Sequence, residues 1–301
     1  MQDDKKRNLL AYMGCALVAL IFSFHYIAAK EVMSAGITPY ALSSFRGIVG
    51  GLLILLMFRK KIVVSHIRSN IVSILIMGFL GFFINQIFFM NGLKLSSALN
   101  GALISNTIPV VSFIFAFFAG VERGGLKKSL GVAISFSCVT YLVFNGSGDT
   151  GSVHNFLNMG NLYIFLNVVS FCAAFVLGKK VMNGDIAFEM ITGLMLLFGG
   201  SLMLFVAREE MLDVLIYLQR GKKEFLLILF ETIMSTSVVY YLNLWTLKKL
   251  NVSKVTFFAY LQPIITAIGE IFFLQKYPEL IAIIPFVGIL FGGVLILRDN
   301  S

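Results

Sequence analysis

The sequence predicts an all-α membrane protein: ten transmembrane helices, arranged as two inverted five-helix repeats around a central cavity. Three observations predict it. Hydrophobic residues make up 58% of the 301 and charged residues only 13%, with a mean hydropathy of +0.90. That excludes an ordinary globular or disordered chain. Ten long apolar runs fill nearly the whole length, and a run of about 20 apolar residues suffices to cross a bilayer. The runs form two sets of five. An odd number of crossings per set turns the second set upside down, an arrangement common in secondary transporters.

The crossings are expected at 9–29, 39–58, 71–91, 98–119, 127–144, 160–178, 187–207, 225–246, 255–275 and 279–297. Met1–Arg7 is charged and leads straight into the first run. No small-residue cleavage site follows a short apolar core, so no removable signal peptide is expected. Pro39 opens the second run at a first-turn position, where a missing N–H costs nothing. In the third run stand Asn85 and Gln86, and in the fourth Asn106 lies three residues before Pro109. The glycines and serines of 146–159 make an external linker between a first repeat, 1–145, and a second, 160–301. After the seventh run, charged residues flank the apolar stretch Met211–Leu218, which reads as an interfacial helix. The eighth run carries Glu231, Tyr240, Tyr241, Asn243 and, near its end, Trp245 as an interface anchor. Tyr260, Gln262, Pro263 and Glu270 belong to the ninth. Small residues mark close helix contacts: Gly47, Gly50 and Gly51 in the second run, Gly199 and Gly200 in the seventh, Gly288, Gly292 and Gly293 in the tenth.

Orientation follows from Lys and Arg. With the N-terminus inside, sixteen of the 24 lie in inner loops, seven in outer ones, and Arg46 alone within a crossing. The excess places both termini in the cytoplasm of a multi-pass cell-membrane protein. It also explains the net charge of +9 without nucleic acid. A repeat is visible directly. Residues 30–59 shifted by 149 overlay 179–208 without a gap, matching Lys30 with Lys179, Gly50 and Gly51 with Gly199 and Gly200, and Arg59 with Arg208. Pro109 and Pro263 overlay at a shift of 154.

These anchors also carry a family resemblance. Lys30 after a crossing, Pro39 opening the next and Arg46 within it, then Thr107–Ile108–Pro109–Val110 and Gly120–Val121–Glu122, resemble the EamA-type carriers of the drug/metabolite transporter superfamily over essentially the full length. The second half keeps Pro263, but Lys276 stands where Glu122 would recur, and the Trp-Gly pair often found in the first crossing is absent. The resemblance implies ten helices around a central cavity, with export or exchange of amino acids or other small metabolites. It also implies that the fifth and tenth crossings sit at the periphery, where a weak homodimer would form if the chain is not a monomer.

A charge at membrane depth costs about 2.5–3.5 kcal/mol on insertion scales, so it faces a cavity or a partner. His25, Arg46, Glu231 and Glu270 qualify. At the helical rise they fall roughly 4–9 Å from the bilayer centre, all in the outer half. The expectation is that Arg46 pairs with one glutamate while the other titrates as a coupling site for protons. Arg46 also reads as a packing brace, and His25 as a hydrogen-bonded structural histidine. A second constellation supplies the expected substrate contacts. Asn106 and Tyr260 each precede a proline by three residues, and a shift of 155 maps Asn85 and Gln86 onto Tyr240 and Tyr241. Proline removes a backbone bond and frees nearby carbonyls. With Tyr26 and Gln262 these make an aromatic and amide lining suited to a zwitterion or a flat ring. Hydrogen bonding between helices is the alternative use of such residues.

Rival functions find less support. Metalloprotease, Ser-hydrolase and phosphate-loop motifs are absent, so neither catalysis nor ATP-driven transport by this chain is expected. Cys15, Cys138 and Cys172 lie within apolar runs, and no metal or cofactor is expected. A secondary exporter of amino acids or related metabolites is the first reading. An exchanger or importer of nucleotide-type or sugar-phosphate metabolites is the alternative; such anions would want more cavity cations than Arg46 alone.

Overall fold

A computed structural model describes residues 2–96, 101, 104–145, 159–182, 184, 186–262, 265, 268 and 283–298. These residues form helices and no strands. In chain order they are α1 (Gln2–Ser34), α2 (Pro39–Met57), α3 (Val64–Leu95), α4 (Ile108–Phe118), α5 (Leu126–Asn145) and α6 (Met159–Val181). There follow α7 (Phe188–Val206), α8 (Met211–Arg220), α9 (Lys222–Lys249) and α10 (Val252–Leu261), and α11 (Ile283–Arg298). Six of them, α1 from Asn8 onward, α2, α3, α6, α7 and α9, are long and apolar enough to cross a membrane. α4 and α10 are shorter apolar helices. The linker 146–158 and Pro263, Glu270 and Lys276 lie outside the described residues.

Helix starts and stops follow local chemistry. The Thr38 side chain caps α2 by accepting from the Ala41 N–H, with Pro39 in the first turn. α4 ends in a Schellman cap. Gly120 has a φ of 66°, the Gly120 N–H donates to the Phe117 carbonyl, and the Val121 N–H donates to the Ala116 carbonyl at 2.9 Å. α4 also begins abruptly. Asn106 and Thr107 form a turn ahead of it, and Pro109 sits in its first turn. The fourth crossing is therefore interrupted two residues before the proline.

Two helices carry a widened, π-helical stretch: Phe79–Ile84 in α3 and Phe230–Val238 in α9. In α9 the run Ser235–Thr236–Ser237 accounts for it. Ser235 and Thr236 both donate to the Glu231 carbonyl at 2.8 Å, and Ser237 to the Thr232 carbonyl at 3.0 Å. Hydroxyls bonding back along a helix compete with the regular ladder and loosen it.

Packing is pairwise. α2 lies along α7, α5 along α11, the second half of α3 along α6, and α1 along α9. Glycine permits the α2–α7 approach. A Cβ on Gly47 would come 2.7 Å from the Gly200 Cα, and one on Gly200 would come 2.8 Å from the Gly47 Cα. At Gly14, α1 rests on the Trp245 ring of α9, and the Lys249 ammonium sits 3.9 Å from that ring's centroid. Glycines of α11 are likewise used inside the molecule: Gly292 and Gly131 of α5 lie against each other's carbonyl oxygens.

The expected interfacial helix is α8. It buries Val214 and Tyr217 and exposes Leu212, Leu215 and Ile216. Polar contacts fix it over the α1–α2 turn: Thr38 donates to the Glu210 carboxylate, and Arg220 donates to the Ala35 carbonyl at 3.1 Å. Two lysines tie down helix ends. Lys30 donates to the Ser96 carbonyl just past α3 at 2.6 Å. Lys179 donates to the Leu247 and Leu250 carbonyls at the end of α9 at 2.6 and 3.0 Å. Cations are favoured there because the last carbonyls lack helical partners.

Candidate functional site

Five helices border a common space, α1 and α10 each with a stripe of residues along one face. On α1 the stripe is Cys15, Val18, Ala19 and Phe22, and on α10 and its continuation it is Val255, Phe258, Ala259 and Gln262. Both follow the i, i+3, i+4, i+7 spacing of one helix face. α6 adds Phe171 and Phe175, one turn apart, with rings stacked at 5.2 Å. α9 adds Asn243, and Ile108 closes the α4 side. The cavity holds about 380 Å³ of space not filled by atoms, its open mouth included. A second cavity of about 310 Å³ shares Phe171, Phe175 and Asn243 and continues to Met77, Met195 and Tyr240. The Tyr240 hydroxyl donates to the Gly81 carbonyl, inside the π-helical stretch of α3, at 3.2 Å.

One turn beyond Phe22, a polar layer closes over the cavity. Tyr26 lies 2.6 Å from the Ser105 hydroxyl and donates to Gln262 Oε1 at 3.5 Å. Ser23 donates to the Gln262 carbonyl at 3.2 Å.

Beside that layer sits the charge cluster. Arg46 Nη1 donates to Glu231 Oε2 at 2.6 Å, and Arg46 Nε to the Thr236 hydroxyl at 2.9 Å. His25 Nδ1 lies 2.9 Å from Glu231 Oε1 and 2.8 Å from Oε2. The Ser235 hydroxyl, which donates to the Glu231 carbonyl, also lies 3.1 Å from Oε2 and can turn its proton to it instead. The His25 ring stacks on Phe89 at 5.0 Å. All three ionisable side chains are buried, at 3%, 1% and 0% exposure for His25, Arg46 and Glu231. The π-helical stretch sets the geometry, because it brings the Glu231 carboxylate, Ser235 and Thr236 to one side of α9 facing α1 and α2. Removing one member of such a buried pair costs about 3–5 kcal/mol, since the other charge is stranded.

The sequence-derived residues thus separate. Gln262 and Tyr240 line the cavities, with Tyr26 in the layer above. Asn85 faces α6 instead, where its amide donates to the Asn167 carbonyl at 3.1 Å and Asn167 donates back to the Asn85 carbonyl at 3.0 Å. Tyr241 stacks on Phe58 at 5.3 Å, at the far end of α2. Tyr260 packs with Val132, Phe257 and Ile296, toward α5 and α11. Asn106 is fully buried at the interruption before α4, and neither of its amide atoms has a hydrogen-bond partner among the described residues. His25, Arg46 and Glu231 come together; Glu270 lies outside the described residues. The sequence reading did not find Asn167, Ser105 or the four cavity phenylalanines. Among 30 phenylalanines nothing local distinguishes a cavity wall from a lipid-facing surface.

A further buried ion pair lies at the opposite end. The Schellman cap swings Glu122 under α4. Its carboxylate accepts from the Ser253 N–H at 3.1 Å and the Ser253 hydroxyl at 2.9 Å, in the first turn of α10, and from Lys128 at 3.0 Å. A carboxylate at a helix N-terminus satisfies orphan N–H groups there. Nearby, Glu189 at the start of α7 hydrogen-bonds Lys61 and holds that ammonium above the ordinary lysine range.

The model of the EamA-like transporter family matches twice, at residues 9–144 and 158–298. The chain belongs to the EamA-like transporter family. The uncharacterized transporter YyaM of Bacillus subtilis (strain 168) is 30% identical over 223 residues, 72% of this chain and 70% of its own. The uncharacterized transporter YdfC of the same organism is 27% identical over 269 residues, 86% of this chain and 81% of its own. A WAT1-related protein of Arabidopsis thaliana, At3g18200, is 24% identical over 281 residues, 84% of this chain and 72% of its own. One solved crystal structure superposes with a TM-score of 0.73 at 16% identity, covering 95% of this chain and 96% of that one, and shares the fold. Membership in the EamA-like family makes this a multi-pass membrane transporter. It points away from an enzyme.

Proposed function

We propose that this EamA-like chain is a secondary carrier that exports small metabolites by alternating access, with ten crossings in two inverted repeats. Amino acids and related compounds are the class that the family resemblance implies. The observation that carries the reading is the cavity at Asn243 and Gln262, enclosed by α1, α6, α9 and α10 and bordered by an interrupted helix. Sites at such interruptions, between repeat-related elements, are how inverted-repeat carriers hold substrate. Two facts support the repeats. The family match divides into two stretches. Lys30 and Lys179, which overlay by sequence, each hold the end of a helix at corresponding places. With the N-terminus inside, the Tyr26 layer and α8 face outward, and Glu122 faces the cytoplasm.

The His25–Glu231–Arg46 cluster is the proposed coupling element. Glu231 is the partner of Arg46, so a proton joining this group enters at His25 or displaces Arg46; Glu270 is the second proposed proton site. Anion exchange is the weaker reading, because no side chain lining the cavity carries positive charge among the described residues.

The test is efflux and counterflow of labelled metabolites from proteoliposomes, with and without an imposed pH gradient. Gradient-dependent flux that is lost in Glu231→Gln or Glu270→Gln supports proton coupling. Unchanged pH dependence in both variants overturns it. Counterflow without any gradient means facilitation or exchange and returns the cluster to a bracing role.

A further inference from the structure

The cavity is unusual in what its polar groups leave open. Asn243 is 8% exposed and lines both cavities, and its side-chain amide makes no hydrogen bond among the described residues. Gln262 is 4% exposed. Its Oε1 receives only the long 3.5 Å contact from Tyr26, and its Nε2 donates to nothing described. The third polar group, Thr256, is satisfied: it donates to the Val252 carbonyl at 3.0 Å and accepts from Ser112 at 3.0 Å. So the cavity offers one complete amide, donor and acceptor, and one further donor. Neither amide is sealed off from the cavity, so a ligand that supplies the partners takes the place of water there rather than rescuing a stranded group.

No lining side chain is charged at neutral pH among the described residues. The nearby Arg46 and Glu231 are engaged with each other. Against the described walls a zwitterionic amino acid would find no counter-charge for its ammonium or carboxylate, and unpaired buried charge is heavily penalised. A phosphate ester fares worse. The walls instead are aromatic: Phe22, Phe171, Phe175 and Phe258. Rings of this kind favour a flat partner by offset stacking or edge contact, worth about 0.5–1.5 kcal/mol per pair beyond burial.

Resting on the carrier reading above, we infer that the cavity between Asn243 and Gln262 selects a planar, uncharged nitrogen heterocycle with a hydrogen-bond donor next to an acceptor, the chemical class of free nucleobases. The Asn243 amide pairs with the donor–acceptor edge, and Gln262 Nε2 donates to a ring nitrogen or carbonyl. The phenylalanines hold the plane. A donor–acceptor edge matters because a site built to hydrogen-bond rejects analogues lacking those atoms far more strongly than an apolar pocket rejects a changed methylene.

The experiment is counterflow into proteoliposomes of purified full-length protein, with labelled adenine, uracil, L-phenylalanine and L-alanine as probes, alongside thermal unfolding with each probe in detergent. Expected is saturable counterflow of adenine or uracil that neither amino acid inhibits, with a rise in Tm for the same base. Asn243→Leu, which keeps the branching and the number of side-chain heavy atoms, should lower base counterflow at least tenfold while its ligand-free Tm stays near that of the parent. Gln262→Leu, as a second variant, should raise KM for the base. Counterflow of L-phenylalanine or L-alanine without the bases overturns the inference and leaves the carrier standing. Base counterflow undiminished in both variants overturns the assigned site. Counterflow of no probe by folded protein overturns the inference, and only a wider panel that also fails would remove the carrier reading with it.

Discussion

At the residue scale the strongest constraint is Glu231. Its carboxylate is enclosed by Arg46, His25 and Ser235, with no exposure to solvent. Arg46→Met strands that carboxylate, and the expected loss is about 3–5 kcal/mol of stability. The double variant Arg46→Met/Glu231→Met removes both charges and should be closer to the parent than Arg46→Met is. Thermal unfolding of the three variants decides it; losses that simply add would mean the two side chains are not energetically coupled. This cluster was legible in the sequence, because ionisable side chains at membrane depth are few and seek each other. The role of Asn85 was not. Its chemistry suits a substrate as well as Asn167 does, and only the rotation of α3 about its axis decides which one it meets.

At the scale of elements, the α2–α7 contact depends on two missing side chains. Gly47 and Gly200 touch through backbone atoms, so the neighbour of a new side chain cannot swing aside. Gly200→Leu should separate the helices and lower Tm, by an amount comparable to core overpacking, about 1–3 kcal/mol or more. Gly36→Ala would disturb no packing, since nothing lies within 4 Å, though its φ of 95° adds local strain. An unchanged Tm in Gly200→Leu would refute the close approach. Gly200 was visible in sequence because Gly50 and Gly51 recur as Gly199 and Gly200 at a fixed shift, whereas Gly47 meets Leu196 and stood out only as a small residue within an apolar run. The π-helical stretches were not visible. In α3 the stretch FLGFFI has no polar face against which a slip of a fraction of a turn can be detected, and in α9 the Ser235–Thr236–Ser237 run that loosens the helix is equally compatible with a regular one. The interruption at Asn106–Thr107 was announced by Pro109, because proline removes a backbone bond wherever it stands.

At the scale of the molecule, the proposed carrier must open and close around its cavity. Tyr26 and Ser105 approach to 2.6 Å above it, bridging α1 and the segment before α4. If that contact closes the outer side, the variant Tyr26→Cys/Ser105→Cys should lose counterflow when a short, reducible thiol-to-thiol cross-linker spans the gap left by the tyrosine ring, and regain it on reduction. Retained counterflow in the cross-linked protein would show that the two segments do not part during transport. The bilayer architecture was legible from composition and periodicity, since lipid imposes both. The cavity was legible only in outline. Its polar corners, Tyr240 and Gln262, stood out, but its aromatic walls come from helices far apart in sequence and look like any lipid-facing surface. The chain has a single tryptophan, Trp245, held between Gly14 and the Lys249 ammonium two residues from Asn243. Its emission is therefore an optical gauge native to the protein. Whatever parts α1 from α9 changes the polarity around one indole, and the conformational cycle can be followed in real time without attaching a dye.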